Sequence, residues 1–410
     1  MRVESLLAIV AIALGSCAHA APPPPSPAKG TIAIGVTLPL SGTDGAEGMP
    51  VLAGIRFALA QQGRLRGYDL SLSVYDDAVR GENEPQAGAA NLGSLVADSR
   101  VLGVIGPFHA PVAMAEIPIA SAAGVALISP SASNECLTKN LAYCGGLAAR
   151  LRGGHPLSFF RMAATDDLQG PAMAGYAVAS LHLHSLFVVS DSTLYGQALA
   201  DAFQARFTAL GGVVLRRIDY DPTSQKDFSA LLESARSLHA EAVYYGGLAA
   251  NGGCVLRSQM AAHLGADTPE LGAEGFALDD QCVQVAGSGA AGMFGTSARV
   301  NASALAAAQP TVAAFRTAHP SPNDYSSYTI PGYDATRILI AAIGRAMDAA
   351  GGALPTRESV RAQVAATSAF ASTIGPVGFD PNGDSTLRFV SIYTTRGTPV
   401  AWQFVTQIQM

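Results

Sequence analysis

The sequence predicts an α/β protein built as two doubly wound lobes with a cleft between them. Three observations carry this. From Thr31 onward, apolar β-rich runs alternate with amphipathic stretches. The connections between them are short, as in parallel sheets covered by helices. The alternation then starts again after a glycine-rich break at 145–160. A chain of 410 residues also exceeds one ordinary domain, for which about 100–200 residues is the prior.

The first set runs as follows. TIAIGVTLPL (31–40) reads as a buried strand, and PVLAGIRFALAQQG (50–63) as a helix ending at glycine. DLSLSVYDD (69–77) alternates as a half-buried strand does, and 84–99 is helical. VLGVIGP (101–107) is a strand, 110–124 a helix and VALISPS (125–131) a strand. The second set gives helices at 167–182, 195–211, 227–239 and 254–265, with strands at 185–192, 213–220 and 241–247. The C-terminal part gives helices near 305–318, 333–351 and 356–367, then strands at 386–395 and 400–406. The break at 145–160 reads as the first lobe boundary.

The N-terminus reads as an address. Arg2 is followed by the apolar run Leu6 to Leu14 and then Leu14-Gly15-Ser16-Cys17, which resembles the lipobox of bacterial lipoproteins. Residues 1–17 are thus expected to be a signal peptide, with Cys17 lipidated; ordinary cleavage after Ala18-His19-Ala20 is the alternative. Two or more acyl chains would anchor the protein stably. Residues 18–29, with the run APPPPSPA, form an extended tether. An exported chain with Cys136, Cys144, Cys254 and Cys282 suggests disulfides, with three possible connectivities. Cys136–Cys144 is the local option and leaves Cys254–Cys282. No C-x-x-C or His pair supports zinc.

Composition excludes several classes. There are 25 Lys+Arg against 31 Asp+Glu, giving a net charge of −6, which does not suit a nucleic-acid binder. Only 14% of residues are charged and 49% are hydrophobic, enough for real cores and unlike a disordered chain. No stretch after the N-terminus has the ~20 apolar residues that span a bilayer.

Ligands in open α/β sheets sit at the carboxyl ends of the strands. The segments to inspect are therefore 41–48, 106–111, 129–134, 190–195, 246–251 and 273–279. Several segments in and around them carry a resemblance: IGVTLPLSG (34–42), VYDD (74–77), GVIGP (103–107), LISPSAS (127–133), DSTLYGQALA (191–200), KDFSALL (226–232), AVYYGG (242–247), GAEG (272–275) and IGPVGFDPNGD (374–384). Together, in order, they resemble the substrate-binding proteins of branched-chain amino-acid ABC importers, a type I periplasmic-binding fold. The resemblance implies two Rossmann-like lobes joined by three crossovers, near 160–165, 295–300 and 372–378. Lobe 1 would be 31–162 plus 298–374, and lobe 2 would be 163–297 plus 375–410.

The same resemblance implies site residues. Ser131 and Ser133 match positions that bind the charged ends of an amino acid, although serine there also caps helices. Glu274 matches the acid that pairs with the ammonium, and Tyr195 a cleft tyrosine; a surface acid and a helix-start packing aromatic are the bland alternatives. Ala110 replaces a common serine and would contribute only its backbone N–H, while Phe108 and Tyr328 would wall the side-chain pocket. Three departures stand out: Glu47 where an aromatic is common, Leu248 where a tyrosine is common, and His109-Ala110-Pro111 in place of a hydroxyl-rich run. A second acid in the cleft does not suit an aliphatic side chain. Glu47 would accept a hydrogen bond from a polar or cationic group or an amide, unless it faces solvent.

Other motifs lack context. Gly287 to Gly292 satisfies G-x-G-x-x-G but follows a helix, and 42–48 has no G-K-[ST]. No G-x-S-x-G elbow exists. Asp76-Asp77 read as turn and cap residues, and DPNGD (380–384) as a turn without a calcium loop's final acid. The expectation is an exported, lipid-anchored, monomeric binding protein, periplasmic or on the outer surface. It would deliver a small polar ligand to an ABC permease, with no cofactor, metal, catalytic residue or nucleic-acid partner. A ligand-sensing receptor on the same fold is the alternative.

Overall fold

The computed structural model describes residues 28–410. The signal segment, the lipobox with Cys17 and most of the tether lie outside the described residues. The first lobe opens with β1 (Thr31–Leu38), α1 (Gly45–Gln62), β2 (Asp69–Asp76), a small hairpin of β3 (Ala78–Val79) and β4 (Glu82–Asn83), and α2 (Pro85–Ala97). It continues with β5 (Val101–Ile105), α3 (Ala110–Ala122), β6 (Ala126–Ser129), α4 (Leu147–Arg152) and β7 (Phe159–Arg161). The larger strands form one parallel sheet in the order β2-β1-β5-β6-β7.

The second lobe holds α5 (Gln169–Ala179), β8 (Ser185–Ser190), α6 (Leu194–Ala209), β9 (Val213–Asp219), α7 (Ser229–Ser237), β10 (Ala242–Gly246), α8 (Gly253–His263), β11 (Glu270–Gly272), α9 (Asp280–Ala286) and β12 (Met293–Ser297). The chain then returns through α10 (Gln309–Ala318), α11 (Thr329–Ala349), α12 (Arg357–Ala365) and the hairpin β13 (Phe370–Ser372)–β14 (Gly375–Val377). It ends in β15 (Phe389–Arg396) and β16 (Ala401–Gln409). The second sheet has the order β16-β15-β12-β11-β10-β8-β9, parallel except for the pairs made by β15.

Each sheet is covered on both faces, as its continuous apolar strands require. In the first lobe, α1, α11 and α12 cover one face through Val51, Ile55, Ile338, Ile343 and Val360. Leu92, Leu95 and Ile117 of α2 and α3 cover the other. In the second lobe, Leu232, Leu256 and Met260 face one side, and Met173, Phe203 and Phe207 the other. Among the described residues no helix is long and apolar enough to cross a membrane.

Three differences from the sequence-based expectation bear on the site. Helix α1 starts at Gly45, so Glu47 lies in its first turn rather than in a loop. Residues 159–161 form the edge strand of the first sheet, so the break at 145–160 runs into that lobe. Residues 375–387 were expected in the second lobe, but Val377, Phe379 and Leu387 share the first lobe's core. Phe379 packs on Phe160 with ring centroids 5.1 Å apart, and Arg161 binds Asp384 at 2.7 Å. The chain therefore leaves the first lobe's core at about Arg388 and enters β15.

Among the described residues two disulfides are present. Cys136–Cys144 and Cys254–Cys282 have Cα separations of 5.2 and 4.6 Å, within the usual range.

Candidate functional site

The strand ends of both sheets meet between the lobes, and most of the expected residues gather there. Phe108 and Tyr328 are both buried and pack edge to face at 4.9 Å. His109 packs on Phe108 at 4.9 Å, and its Nε2 lies 3.4 Å from Asp44. Burial lowers the His109 pKa, against the opposing pull of Asp44, so the ring is neutral near pH 7. Ala110 is the first residue of α3. The opening N–H groups of a helix have no intrahelical partner and favour an anion; here Pro111 supplies none and the Ala113 N–H binds the His109 carbonyl, so Ala110 and Val112 offer theirs.

The serines divide in role. The Ser131 hydroxyl donates to the Phe108 carbonyl at 2.6 Å, which ties the two strand-end loops together. The hydroxyl expected to meet a ligand is thus already engaged in joining these loops. Ser133 contacts Asp166 twice: its carbonyl accepts from the Asp166 N–H at 3.0 Å, and its side chain hydrogen-bonds the carboxyl.

Asp166 is one of two cleft residues, with Arg299, that sequence reasoning missed. It follows β7 in the first crossover and accepts from Gln169 Nε2 at 2.9 Å. Burial, reinforced by the charges of Glu274 and Glu135, raises its pKa to about 7. Its only signal was an acid placed just after a strand at a lobe junction. Glu135 is buried; its Oε1 accepts from Tyr143 at 2.7 Å, and its Oε2 has no hydrogen-bond partner. A cavity of about 10 Å³ is lined by Glu135, Asp166, Asp167 and Tyr195. Lys139 neutralises Asp167 at 2.7 Å.

Tyr195 lies in the first turn of α6 and meets the Gly275 backbone. A side chain at Gly275 would sit 2.8 Å from the Tyr195 ring and 2.4 Å from the Gly247 carbonyl, so this close approach requires glycine. Burial raises the Tyr195 pKa, and Asp166 and Glu274 raise it further.

Glu274 follows β11 and receives its backbone support from Gln169, which accepts its N–H at 3.0 Å. Both carboxylate oxygens are engaged. Arg299 Nε binds Oε1 at 3.0 Å, and the Ala298 N–H donates to Oε2 at 3.2 Å. Arg299 lies in the second crossover and had no motif to announce it. Its Nη1 stands 3.5 Å from Glu47, and its guanidinium carbon lies 5.0 Å from the Tyr328 ring centroid. Burial disfavours its charge, but Tyr328, Glu274 and Glu47 together raise its pKa. Three residues named from the sequence therefore surround one unforeseen cation.

Of the departures, Leu248 has an exposed side chain, while its N–H donates to buried Asp191. A larger cavity of about 500 Å³ lies between α1 and α11 on the first lobe. Its arginines already have partners: Arg66 pairs with Asp348 within the cavity wall, Arg337 with Asp334, and Arg345 with Gln363. The grouping of Cys254, Cys282 and Asp279 is a disulfide beside a helix-capping acid, so those sulfurs are not free for a metal.

Comparison with known proteins agrees with this architecture. The family model described as periplasmic binding protein matches residues 31–396. A Leu/Ile/Val-binding protein homologue from Brucella melitensis is 30% identical over 78% of this chain and 81% of its own length. The Leu/Ile/Val-binding protein BraC3 of Rhizobium johnstonii is 28% identical over 96% of this chain and 97% of its own. The crystal structure of a leucine-binding protein from Thermotoga maritima superposes with a TM-score of 0.66 at 25% identity, covering 92% of this chain and 98% of that one. The chain belongs to the periplasmic binding protein family, among the substrate-binding proteins of branched-chain amino-acid ABC transporters.

Proposed function

We propose that this protein binds an α-amino acid between its two lobes and delivers it to the permease of an ABC importer. The observation that carries the reading is the pairing of opposite electrostatic ends in one cleft. The open first turn of α3 at Ala110 suits a carboxylate. Asp166, with Ser133 and Tyr195 around it, suits an ammonium. These groups come from different lobes and a crossover, so a ligand touching all of them draws the lobes together by hinge closure. Ser131 acts by positioning rather than by direct contact, because its hydroxyl is bound to Phe108. The chain acts outside the cytoplasm as a monomer tethered through lipidated Cys17, and it carries out no chemistry on its ligand.

The test is thermal denaturation of protein refolded to strip carried-over ligand, screened against the twenty amino acids, simple amides and small aliphatic acids. A ligand that binds only the folded state raises its stability by ~2.7 kcal/mol at a hundred times its Kd. A rise with an amino acid, lost on esterifying its carboxylate or acylating its amine, supports the reading. A rise only with ligands lacking an amine overturns it.

A further inference from the structure

The part of the cleft where Arg299 bridges Glu274 and Glu47 is not built for a hydrocarbon side chain. Arg299 Nη1 and Glu47 Oε1 face each other there at 3.5 Å. This is longer than the ~2.7–2.9 Å of a made charge-assisted hydrogen bond. The second Glu47 oxygen is enclosed and has no hydrogen-bond partner. The Arg299 fork is held by Nε on Glu274 and by the face of Tyr328, so its position is set while its outer edge points toward Glu47. The two residues come from different parts of the fold: Glu47 from the first turn of α1, Arg299 from the second crossover. Between them they present a planar donor edge beside a carboxylate acceptor.

We propose that Arg299 and Glu47 determine specificity by recognising a carboxamide at the end of the ligand's side chain. The ligand's carbonyl oxygen accepts from the Arg299 fork, and its NH₂ donates to Glu47. This rests on the amino-acid reading above and narrows it. A primary amide supplies one acceptor and two donors in a single plane, which matches a guanidinium edge beside a carboxylate.

Hydrogen-bond accounting points the same way. Arg299 is bound to Glu274 at 3.0 Å and stands 3.5 Å from Glu47, so its outer edge still has donors to offer while Glu47 keeps an acceptor oxygen without a partner. A primary amide meets both at once. An acidic side chain would lie against Glu47, and a cationic one against Arg299. An aliphatic one would dry the pair without replacing its water, which is costly for buried polar groups. Sites built around hydrogen bonds reject analogues that cannot make them.

The experiment is calorimetric titration of the refolded protein with glutamine, asparagine, leucine, isoleucine, valine, glutamate and lysine. An amide-bearing amino acid is expected to bind most tightly, by about 10- to 100-fold over leucine, given hydrogen bonds to charged partners. Glu47→Leu should remove that advantage, lowering the affinity for the amide and raising that for leucine. Arg299→Lys, which keeps the charge but loses the planar fork, should also weaken the amide. Melting curves confirm that both variants fold, and Glu47→Gln supplies a version that keeps the side chain's shape. Tighter binding of leucine, isoleucine or valine, unaltered by Glu47→Leu, overturns the inference and leaves the amino-acid reading standing. Preference for glutamate or lysine does the same. Binding by no amino acid overturns both.

Discussion

At the scale of single residues, the cleft sorts its acids by surroundings. Glu274 has both oxygens occupied by Arg299 and Ala298, whereas Asp166 receives only neutral donors and sits near two other carboxylates. With its pKa raised to about 7, Asp166 is part-protonated at neutral pH, and an arriving ammonium favours its ionised form. Ligand binding should therefore release a proton near pH 7, and affinity should fall as pH drops below that value. The slope should approach tenfold per pH unit, which a single required ionisation sets at ~1.4 kcal/mol for each tenfold step. Calorimetry in buffers of different ionisation enthalpy checks the proton release, and Asp166→Asn should remove both the release and the slope. A pH-independent affinity between pH 5.5 and 8 would place the ammonium elsewhere. Glu274→Ala should weaken binding too, but by freeing Arg299 as well as by losing an acid. Glu274 was named from the sequence because GAEG matches a position in the family it resembles, where the acid pairs with an ammonium; here both its oxygens are held by Arg299 and Ala298. Arg299 was not named, because its role comes from where the second crossover crosses the cleft, and nothing local marks that.

At the scale of elements, the loop after β6 is held from beneath. Arg161 on β7 is fully buried and donates to the carbonyls of Ala132 and Asn134 at 3.0 and 2.7 Å. It also binds Asp384 and the Thr138 hydroxyl, and Thr138 in turn donates to Asp384 at 2.8 Å. The DPNGD turn, set aside as a cation loop, is thus the anchor that closes this network. The Cys136–Cys144 disulfide crosslinks the same loop, which carries Ser133 and Glu135. Asp384→Ala leaves a buried guanidinium short of its carboxylate, which should cost about 3–5 kcal/mol. Denaturant unfolding measures that loss. Ligand affinity should fall as well, because the carbonyls that shape the ligand loop lose their fixed donor. Unchanged stability would mean that the arginine finds water or another acceptor. The long apolar strands such as TIAIGVTL were legible because burial on both faces leaves a continuous hydrophobic run. FFR, ELG and MFGTS were not, since FFR and ELG are too short to show a period, MFGTS has no run of β-branched residues, and pairing with neighbours decides them. The first turn of α1 was missed because Gly45-Ala46-Glu47-Gly48 reads as a turn, although packing makes it helical.

At the scale of the whole molecule, each lobe buries carboxyls that no cation neutralises well, and these set how stability depends on pH. In the first lobe, Asp77 is fully buried with neither oxygen hydrogen-bonded, rather than capping a turn as its neighbour Asp76 does. Burial, then the charges of Asp76 and Asp44, raises its pKa to about 7. Glu116 of α3 lies close by, accepting from Thr37 at 2.8 Å, and burial lifts its pKa well above normal. In the second lobe, burial raises Glu270 to about 8 against the opposing pull of Arg257. From pH ~4 to the raised value in the fold, the native state keeps a proton that the unfolded chain has released. Unfolding then releases protons, so raising the pH favours it. Stability contributed by these groups is fully present below pH ~4 and is lost progressively as pH climbs to about 7 for Asp77 and about 8 for Glu270. His109 acts the other way, because its lowered pKa makes the unfolded state the better proton acceptor, but it is one group against several. The melting temperature of ligand-free protein should therefore fall between pH 5 and pH 8.5. Asp77→Asn should flatten the fall and stabilise the protein at pH 8.5 by roughly 2 kcal/mol, since each pH unit in which only the unfolded chain is ionised contributes at most ~1.4 kcal/mol. Glu270→Gln should act likewise in the other lobe, and because the two sites share no contacts their effects should add. A melting temperature that rises across this range would show that these carboxyls reach water or a counter-ion in the folded protein.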